Sequence, residues 1–221
     1  MTKALYKDKY FENRDGSDLK RQKAMHQEFE WIANLDIGTV NRICDIGCAQ
    51  GEFIVHWDQD IEYYGMEVNK DAIHNAEKRG VRFNKNILTE NNFFDLVIFR
   101  GTIQHIDEPF KYIEASYRAL RPGGMIVFLA TPNIGSICFR IFQDLPMLDN
   151  ELNLYLPSEE NLKSILRLYN FTDFKIERPY LLSPYCAFFS DHLKFIFSIF
   201  IRPNKVNFAF WGNSINLAAK K

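Results

Sequence analysis

Short apolar runs alternate with helical patterns from about Arg42 to Gly135, and that rhythm leaves few folds open. Arg42-Ile43-Cys44-Asp45-Ile46 reads as a buried strand running into a glycine turn, and Glu62 to Val68 reads as a second strand. Asn69 caps a helix with Ala72, Ile73 and Ala76 on one face, stopped by Gly80. Val81-Arg82-Phe83 is a short third strand, and Phe94 to Phe99 is a fourth, apolar enough to be buried on both faces. A helix starting near Asp107, with Pro109 in its first turn, ends at Arg121-Pro122-Gly123-Gly124, and Met125 to Ala130 forms the fifth strand. Pro157-Ser158 opens another helix carrying Leu162, Ile165, Leu166 and Tyr169, followed by strands around Phe174 to Tyr180 and Asn213 to Ala219. Strand–helix alternation of this kind predicts an α/β fold with a doubly wound, mostly parallel seven-stranded sheet. No internal repeat interrupts it.

Composition narrows the function classes. At 47% hydrophobic and 25% charged, the 221 residues have ordinary globular usage and can bury a core. A net charge of -1 gives no general electrostatic reason to bind nucleic acid. Cys44, Cys48, Cys138 and Cys186 form neither a CxxC pair nor a zinc pattern, so reduced thiols and no metal are expected. The charged start of the chain is neither a signal nor a transit peptide, no apolar run is long enough to span a bilayer, and a cytoplasmic location is expected.

In a parallel sheet, ligands sit at the carboxyl ends of the strands where strand order reverses. The turn Asp45-Ile46-Gly47-Cys48-Ala49-Gln50-Gly51 holds that place after the first strand. Small residues let the backbone approach a ligand, and the helix expected after the turn offers N–H groups. Glu67, at the end of the second strand, can accept two hydrogen bonds from a ribose diol. A dinucleotide fingerprint would need G-x-G-x-x-G, but after Gly47 the chain has Ala49 and Glu52, and Glu52 would set a charge against a pyrophosphate. An NAD-dependent oxidoreductase is therefore the weaker alternative. S-adenosylmethionine, with a sulfonium and an ammonium, tolerates such acids.

The run Ile43 to Phe53 resembles the first motif of class I S-adenosylmethionine-dependent methyltransferases. Phe94-Asp95-Leu96-Val97-Ile98 through His105-Ile106-Asp107-Glu108-Pro109 is similar to their fourth-strand motif, and Leu120-Arg121-Pro122-Gly123-Gly124 to the turn before their fifth strand. The resemblance extends from about residue 40 to 133, with Ala49 where a middle glycine is common. It implies a Rossmann-like methyltransferase fold with an antiparallel last strand. It also implies that Asp45 orients the methionine amino end, that Gly47, Cys48 and Gly51 pass beneath the cofactor, and that Glu67 binds the ribose with Val68 beside the adenine. By the same resemblance Asn86 and Ile87 border the adenine, and Arg100 lies near the methionine portion. A non-catalytic cofactor-binding or partner protein would keep the same turn.

Methyl transfer aligns a nucleophile with the carbon–sulfur bond, and an alcohol nucleophile gains from a base whereas an amine needs none. His105, in Arg100-Gly101-Thr102-Ile103-Gln104-His105, is the candidate base, because an ordinary histidine titrates near neutrality. The competing reading is a structural histidine tying this loop to the next helix. His26, His56, His74 and His192 carry no partner pattern. The loop lacks the D/N-P-P-Y/F tetrapeptide of enzymes that methylate nucleobase or glutamine amides, which points to a small-molecule acceptor, with O-methylation of a metabolite, sugar or lipid-linked intermediate the leading expectation.

Residues 1–40 read as a helical segment covering the cofactor, with Tyr10 and Arg14 reaching the methionine carboxylate, and residues 41–221 as the methyltransferase domain. Insertions near 134–156 and 183–211 are candidate substrate lids. The second is rich in phenylalanine, and three readings compete for it: a lid or packing element, a homodimer surface, or a peripheral helix at a membrane.

Overall fold

The computed structural model describes residues 19–148, 152–180 and 187–221. Tyr10, Arg14 and Cys186 lie outside the described residues. The elements are α1 (Leu19–Ala33), β1 (Arg42–Ile46), a 3-10 turn (Glu52–His56), β2 (Glu62–Met66), α2 (Lys70–Lys78) and β3 (Phe94–Arg100), then a second 3-10 turn (Ile103–His105). They continue with α3 (Pro109–Ala119), β4 (Leu120–Pro132), α4 (Ile137–Phe142), α5 (Glu159–Leu168), β5 (Thr172–Glu177), α6 (Phe188–Ile201) and β6 (Ser214–Lys220).

The strands form one sheet in the order β2-β1-β3-β4-β6-β5. The first three pairings are parallel, and β6 runs antiparallel between β4 and β5. This is the doubly wound α/β sheet with its antiparallel last strand, with six strands among the described residues rather than seven. Val81-Arg82-Phe83 contributes a single parallel bridge, Tyr64 to Arg82, in the seventh strand's place. The run is three residues long, and its pairing with β2 is confined to the hydrogen bonds Gly65 N–H to Arg82 O and Arg82 N–H to Tyr63 O.

Strand alternation sorts the core into two layers. Cys44, Ile46, Val97, Phe99, Ile126 and Phe128 face one side, under α3 and α5. Ile43, Leu96, Ile98, Met125, Val127 and Leu129 face the other, against Met25 and Ile32 of α1 and Ala76 of α2. Every residue from Phe94 to Phe99 is buried, as a central strand covered on both faces must be. Asn69 caps α2 by accepting the Ala72 N–H, and Ser158 with Asn161 forms a capping box at α5.

Two local expectations change. The segment after Gly51 is a five-residue 3-10 turn, not an α-helix. The chain must return from Gly51 to Glu62 within a connection barely long enough for a parallel crossover, so one tight turn is all that fits. Arg121 to Gly124 is a bend inside the long β4, because Gly123 N–H donates to Lys221 O and Lys221 N–H to Gly124 O.

The amino-terminal end of the sheet is closed by Asp95. One of its oxygens accepts the N–H groups of Asn41 and Arg42, both at 2.7 Å, and the other pairs with Arg121, whose guanidinium also donates to Thr39 O. The carboxylate thus joins the entry to β1, β3 and the bend in β4. Replacing Asp95 with Ala strands two backbone donors and a cation, and a loss of about 3 kcal/mol is expected. Urea denaturation of the variant checks this, and a loss below about 1 kcal/mol would show the anchor to be dispensable.

Candidate functional site

The carboxyl ends of β1 and β3 lie side by side, with Ile46 opposite Phe99 in register, and β2 flanks β1 on its other edge. The turn after β1 therefore leaves the sheet at the point where strand order reverses. Gly47 N–H donates to Met66 O at 2.7 Å, which pins the turn to the end of β2. Gly47 has φ +75°, and a side chain there would collide with Thr102 after β3, so both conformation and space demand glycine. Ala49 also adopts a left-handed backbone, φ +49°, at a cost of roughly 1 kcal/mol. Its N–H donates to Glu67 at 3.1 Å, which offsets part of that strain.

Glu67 organises the neighbouring loop. One oxygen accepts the N–H groups of Val68 and Asn69 at 2.7 and 3.0 Å, while the other holds Ala49 N–H. The side chain is half-buried, and each carboxylate oxygen can accept more than one hydrogen bond. Val68 is half-buried beside it. Asn86 is exposed, its side chain accepting Leu88 N–H at 3.0 Å, whereas the Ile87 side chain is fully buried in the main core. Cys48 is buried against Gly65.

Below the turn lies a cluster of buried charge. Asp45 is 2% exposed; one oxygen accepts the Tyr63 hydroxyl at 2.8 Å and the other has no hydrogen-bond partner. Burial pushes the Asp45 carboxyl up to about 7, against the opposing pull of Tyr63 and Arg100. The Arg100 guanidinium donates to Glu28 of α1 at 2.6 Å and lies over the Phe53 ring. Glu28 is buried, its second oxygen likewise lacks a hydrogen-bond partner, and burial raises its carboxyl above the ordinary range despite Arg100. Two buried carboxyl groups thus lie near the half-buried Arg100 guanidinium, with Arg21 also acting on Glu28. The two unpartnered oxygens suit a cationic group that donates hydrogen bonds and disfavour a pyrophosphate.

The loop after β3 is knitted by Gln104 and His105. Gln104 is buried, donates to Gly101 O at 2.9 Å, and its backbone carbonyl accepts Leu154 and Tyr155 N–H. His105 Nδ1 lies 2.9 Å from Leu152 O, which can only accept, so Nδ1 carries the proton. Nε2 is then the basic nitrogen and accepts from the Gln104 amide at 3.2 Å.

Asp45, Gly47, Cys48, Glu67, Val68 and Arg100 are therefore brought together, with Gly51 packed against Val81 and Ala76 and His105 on the adjoining loop. Sequence reasoning missed Glu28, Tyr63, Thr102 and Gln104. Glu28 carried a signal: it sits on the apolar stripe of α1 with Ala24, Met25 and Ile32, where a charge needs a buried partner. Tyr63 had none, because a tyrosine in a buried strand reads as core.

A family model described as a methyltransferase domain matches residues 18–176. Phosphoethanolamine N-methyltransferase 3 of Arabidopsis thaliana is 23% identical over 128 residues, 51% of this chain and 26% of that protein, so the chain spans about a quarter of that relative's length. Among solved structures, a SAM-dependent methyltransferase from Archaeoglobus fulgidus superposes with a TM-score of 0.69 at 21% identity, covering 97% of this chain and 100% of that one. A phosphoethanolamine N-methyltransferase 2 of Haemonchus contortus, solved with phosphomonomethylethanolamine and S-adenosylhomocysteine, has a TM-score of 0.55 at 18% identity, covering 89% and 52%. At these identities the structural likeness is one of fold.

The raised Asp45 carboxyl has a consequence for stability. Between about pH 4 and 7 the folded protein keeps a proton that the unfolded chain has lost, so this group's contribution falls as pH rises through that window and levels off above it. The full shift corresponds to roughly 4 kcal/mol. In calorimetry without cofactor, Asp45→Asn should melt above the wild type at pH 8 and lose that advantage at pH 5. Parallel melting curves at both pH values would refute a raised Asp45.

Proposed function

The chain belongs to the methyltransferase-domain family, as a class I member that uses S-adenosylmethionine, and we propose that it transfers the methyl group to an oxygen of a small-molecule acceptor. Bound S-adenosylmethionine supplies a methyl group activated by its sulfonium. Asp45 would hold the amino end of the methionine portion, over Gly47, Cys48 and Gly51, with Arg100, paired to Glu28, near that portion. The fit rests on Asp45: its unpartnered oxygen is an acceptor waiting for a cationic donor. Glu67 keeps lone pairs for the ribose hydroxyls beyond those spent on backbone N–H groups. Val68 and Asn86 border the adenine, and Ile87, whose side chain is in the core, does so through its backbone. Residues 41–221 are the methyltransferase domain on this reading, and the roles expected of Tyr10 and Arg14 fall outside the described residues.

The observation behind an oxygen acceptor is the His105 tautomer. A carbonyl holding Nδ1–H leaves Nε2 as a base, which can take the acceptor's hydroxyl proton once the Gln104 amide gives way. A nitrogen acceptor is the second reading, favoured by the partial match to a phosphoethanolamine N-methyltransferase. There the nucleophile brings its own lone pair, and His105 and Gln104 only shape the loop.

Titration calorimetry with S-adenosylmethionine should show Glu67→Ala weakening affinity by about tenfold or more. Wild-type affinity in that variant would remove Glu67 from the cofactor site. Transfer of a labelled methyl group can be screened over small alcohols, phenols and phosphoethanolamine. On an oxygen acceptor, His105→Gln should lower turnover by about a hundredfold with cofactor affinity kept. Label passing only to amines, at a rate His105→Gln leaves alone, would replace the first reading with the second.

A further inference from the structure

Helix α6 is built inside out. A helix packed on a globular body normally turns its apolar stripe inward and its polar residues to water. In α6 the buried positions are Asp191 and Ser198, at 1% and 9% exposure, while Phe189, Phe200 and Ile201 are 85%, 82% and 74% exposed. Leu193, Ile196 and Phe197 are more than half exposed as well. The inward face is well fixed. Asp191 accepts the Tyr180 hydroxyl and the Ala187 N–H, each at 2.7 Å, and Phe195 stacks on Phe210 at 4.2 Å and meets Phe142 of α4 edge-on. The outward apolar face is therefore a deliberate surface and not the lining of a lid, because the face turned to the protein body is the other one.

At roughly 180 Å² per large side chain, those six residues expose on the order of 700 Å² of apolar surface, more than an ordinary monomer leaves in one patch. Ile137 and Ile141 of α4, which shares a hydrophobic cluster with Phe195, are also exposed. Charge decides the occupant. The one carboxylate of α6, Asp191, is buried with one oxygen 3.9 Å from the Lys194 ammonium, and the exposed charges on the helix and its cap are Lys194 and Arg202, both basic. At 14 residues, or about 21 Å, the helix falls short of the ~30 Å needed to cross a bilayer. Among the described residues no helix is long and apolar enough to do so. An exposed apolar face edged only by basic charge matches a helix lying in the headgroup boundary of an anionic bilayer.

We propose that α6 docks the protein on the surface of an anionic lipid membrane, its axis in the plane of the interface. Phe189, Phe200 and Ile201 enter the acyl boundary, and Lys194 and Arg202 meet the headgroups. The proposal is independent of which atom accepts the methyl group.

Co-sedimentation of the full chain with phosphatidylcholine vesicles, with and without phosphatidylglycerol, tests it. Binding should be strong with the anionic vesicles, weaker without them, and reduced by salt. The triple variant F189S, F200S and I201S touches only exposed positions and should bind about tenfold more weakly or worse at an unchanged melting temperature. The pair K194E and R202E keeps the apolar face and should lose the preference for anionic vesicles, which serves if the triple variant fails to fold. Absence of binding to either vesicle, or binding that neither variant alters, overturns the proposal. So does a wild-type dimer in sedimentation velocity that becomes monomeric in the triple variant and ignores vesicles, which would make the patch an interface between copies.

Discussion

A buried imbalance of charge beneath the Asp45–Gly51 turn governs this molecule. Glu28 on α1 pairs with Arg100 on β3, which also acts on Asp45 of β1 from further away, and each carboxyl keeps an oxygen without a hydrogen bond among the described residues. Arg100, with Arg21 acting on Glu28, does not outweigh burial, which raises both carboxyls. Such a cluster is costly unless something completes it, and a cation bearing N–H donors does so. The same ion pair fastens α1 to the end of β3.

The two ends of the sheet show opposite treatments of a carboxylate. At the amino end, Asp95 is satisfied by two backbone N–H groups and Arg121, and it locks strand entry to strand exit. At the carboxyl end, Asp45 has one hydroxyl partner, and its other oxygen accepts no hydrogen bond from the described residues. The difference follows from what surrounds each strand end. Strand entry brings free N–H groups to Asp95, whereas the β1 exit spends Gly47 N–H on Met66 O and Ala49 N–H on Glu67. Satisfaction at one end gives stability, and incompleteness at the other leaves an acceptor for the proposed cofactor site.

Much of this was legible because it is local or strongly periodic. The continuous apolar run Phe94 to Phe99 can only be a doubly covered strand, and Asn69 and Ser158 announce their helices through caps that the backbone uses. What escaped depends on distance through space. The pairing of Val81 to Phe83 gives out after one bridge because nothing in three residues tells how far β2 extends beside them. The turn after Gly51 stays 3-10 because of the short return to β2, a constraint of connection and not of propensity. Within the site, the positions in the Asp45 turn and Glu67 could be read from order and spacing. Tyr63 and Thr102 could not, since Tyr63 reaches Asp45 from β2 and Thr102 reaches Gly47 from the loop after β3.

The insertions obey a different logic from the sheet. Cys138, Leu145, Leu148, Val206 and Phe208 form a hydrophobic cluster of their own, separate from both layers of the main core. The stretches on either side of α5, β5 and α6 thus pack on each other, while Leu152, Leu154 and Tyr155 tie the first of them to the loop after β3. The outward apolar face of α6 is a burden on solubility that the sheet gains nothing from. A periodic apolar helix ordinarily signals core, and the phenylalanines of α6 would read that way. Only Asp191 and Ser198, polar residues seven apart on the buried side, reveal that the helix has been turned over. A face so disposed is explained by what lies outside the chain, and the basic residues at its edge give the sign of that surface.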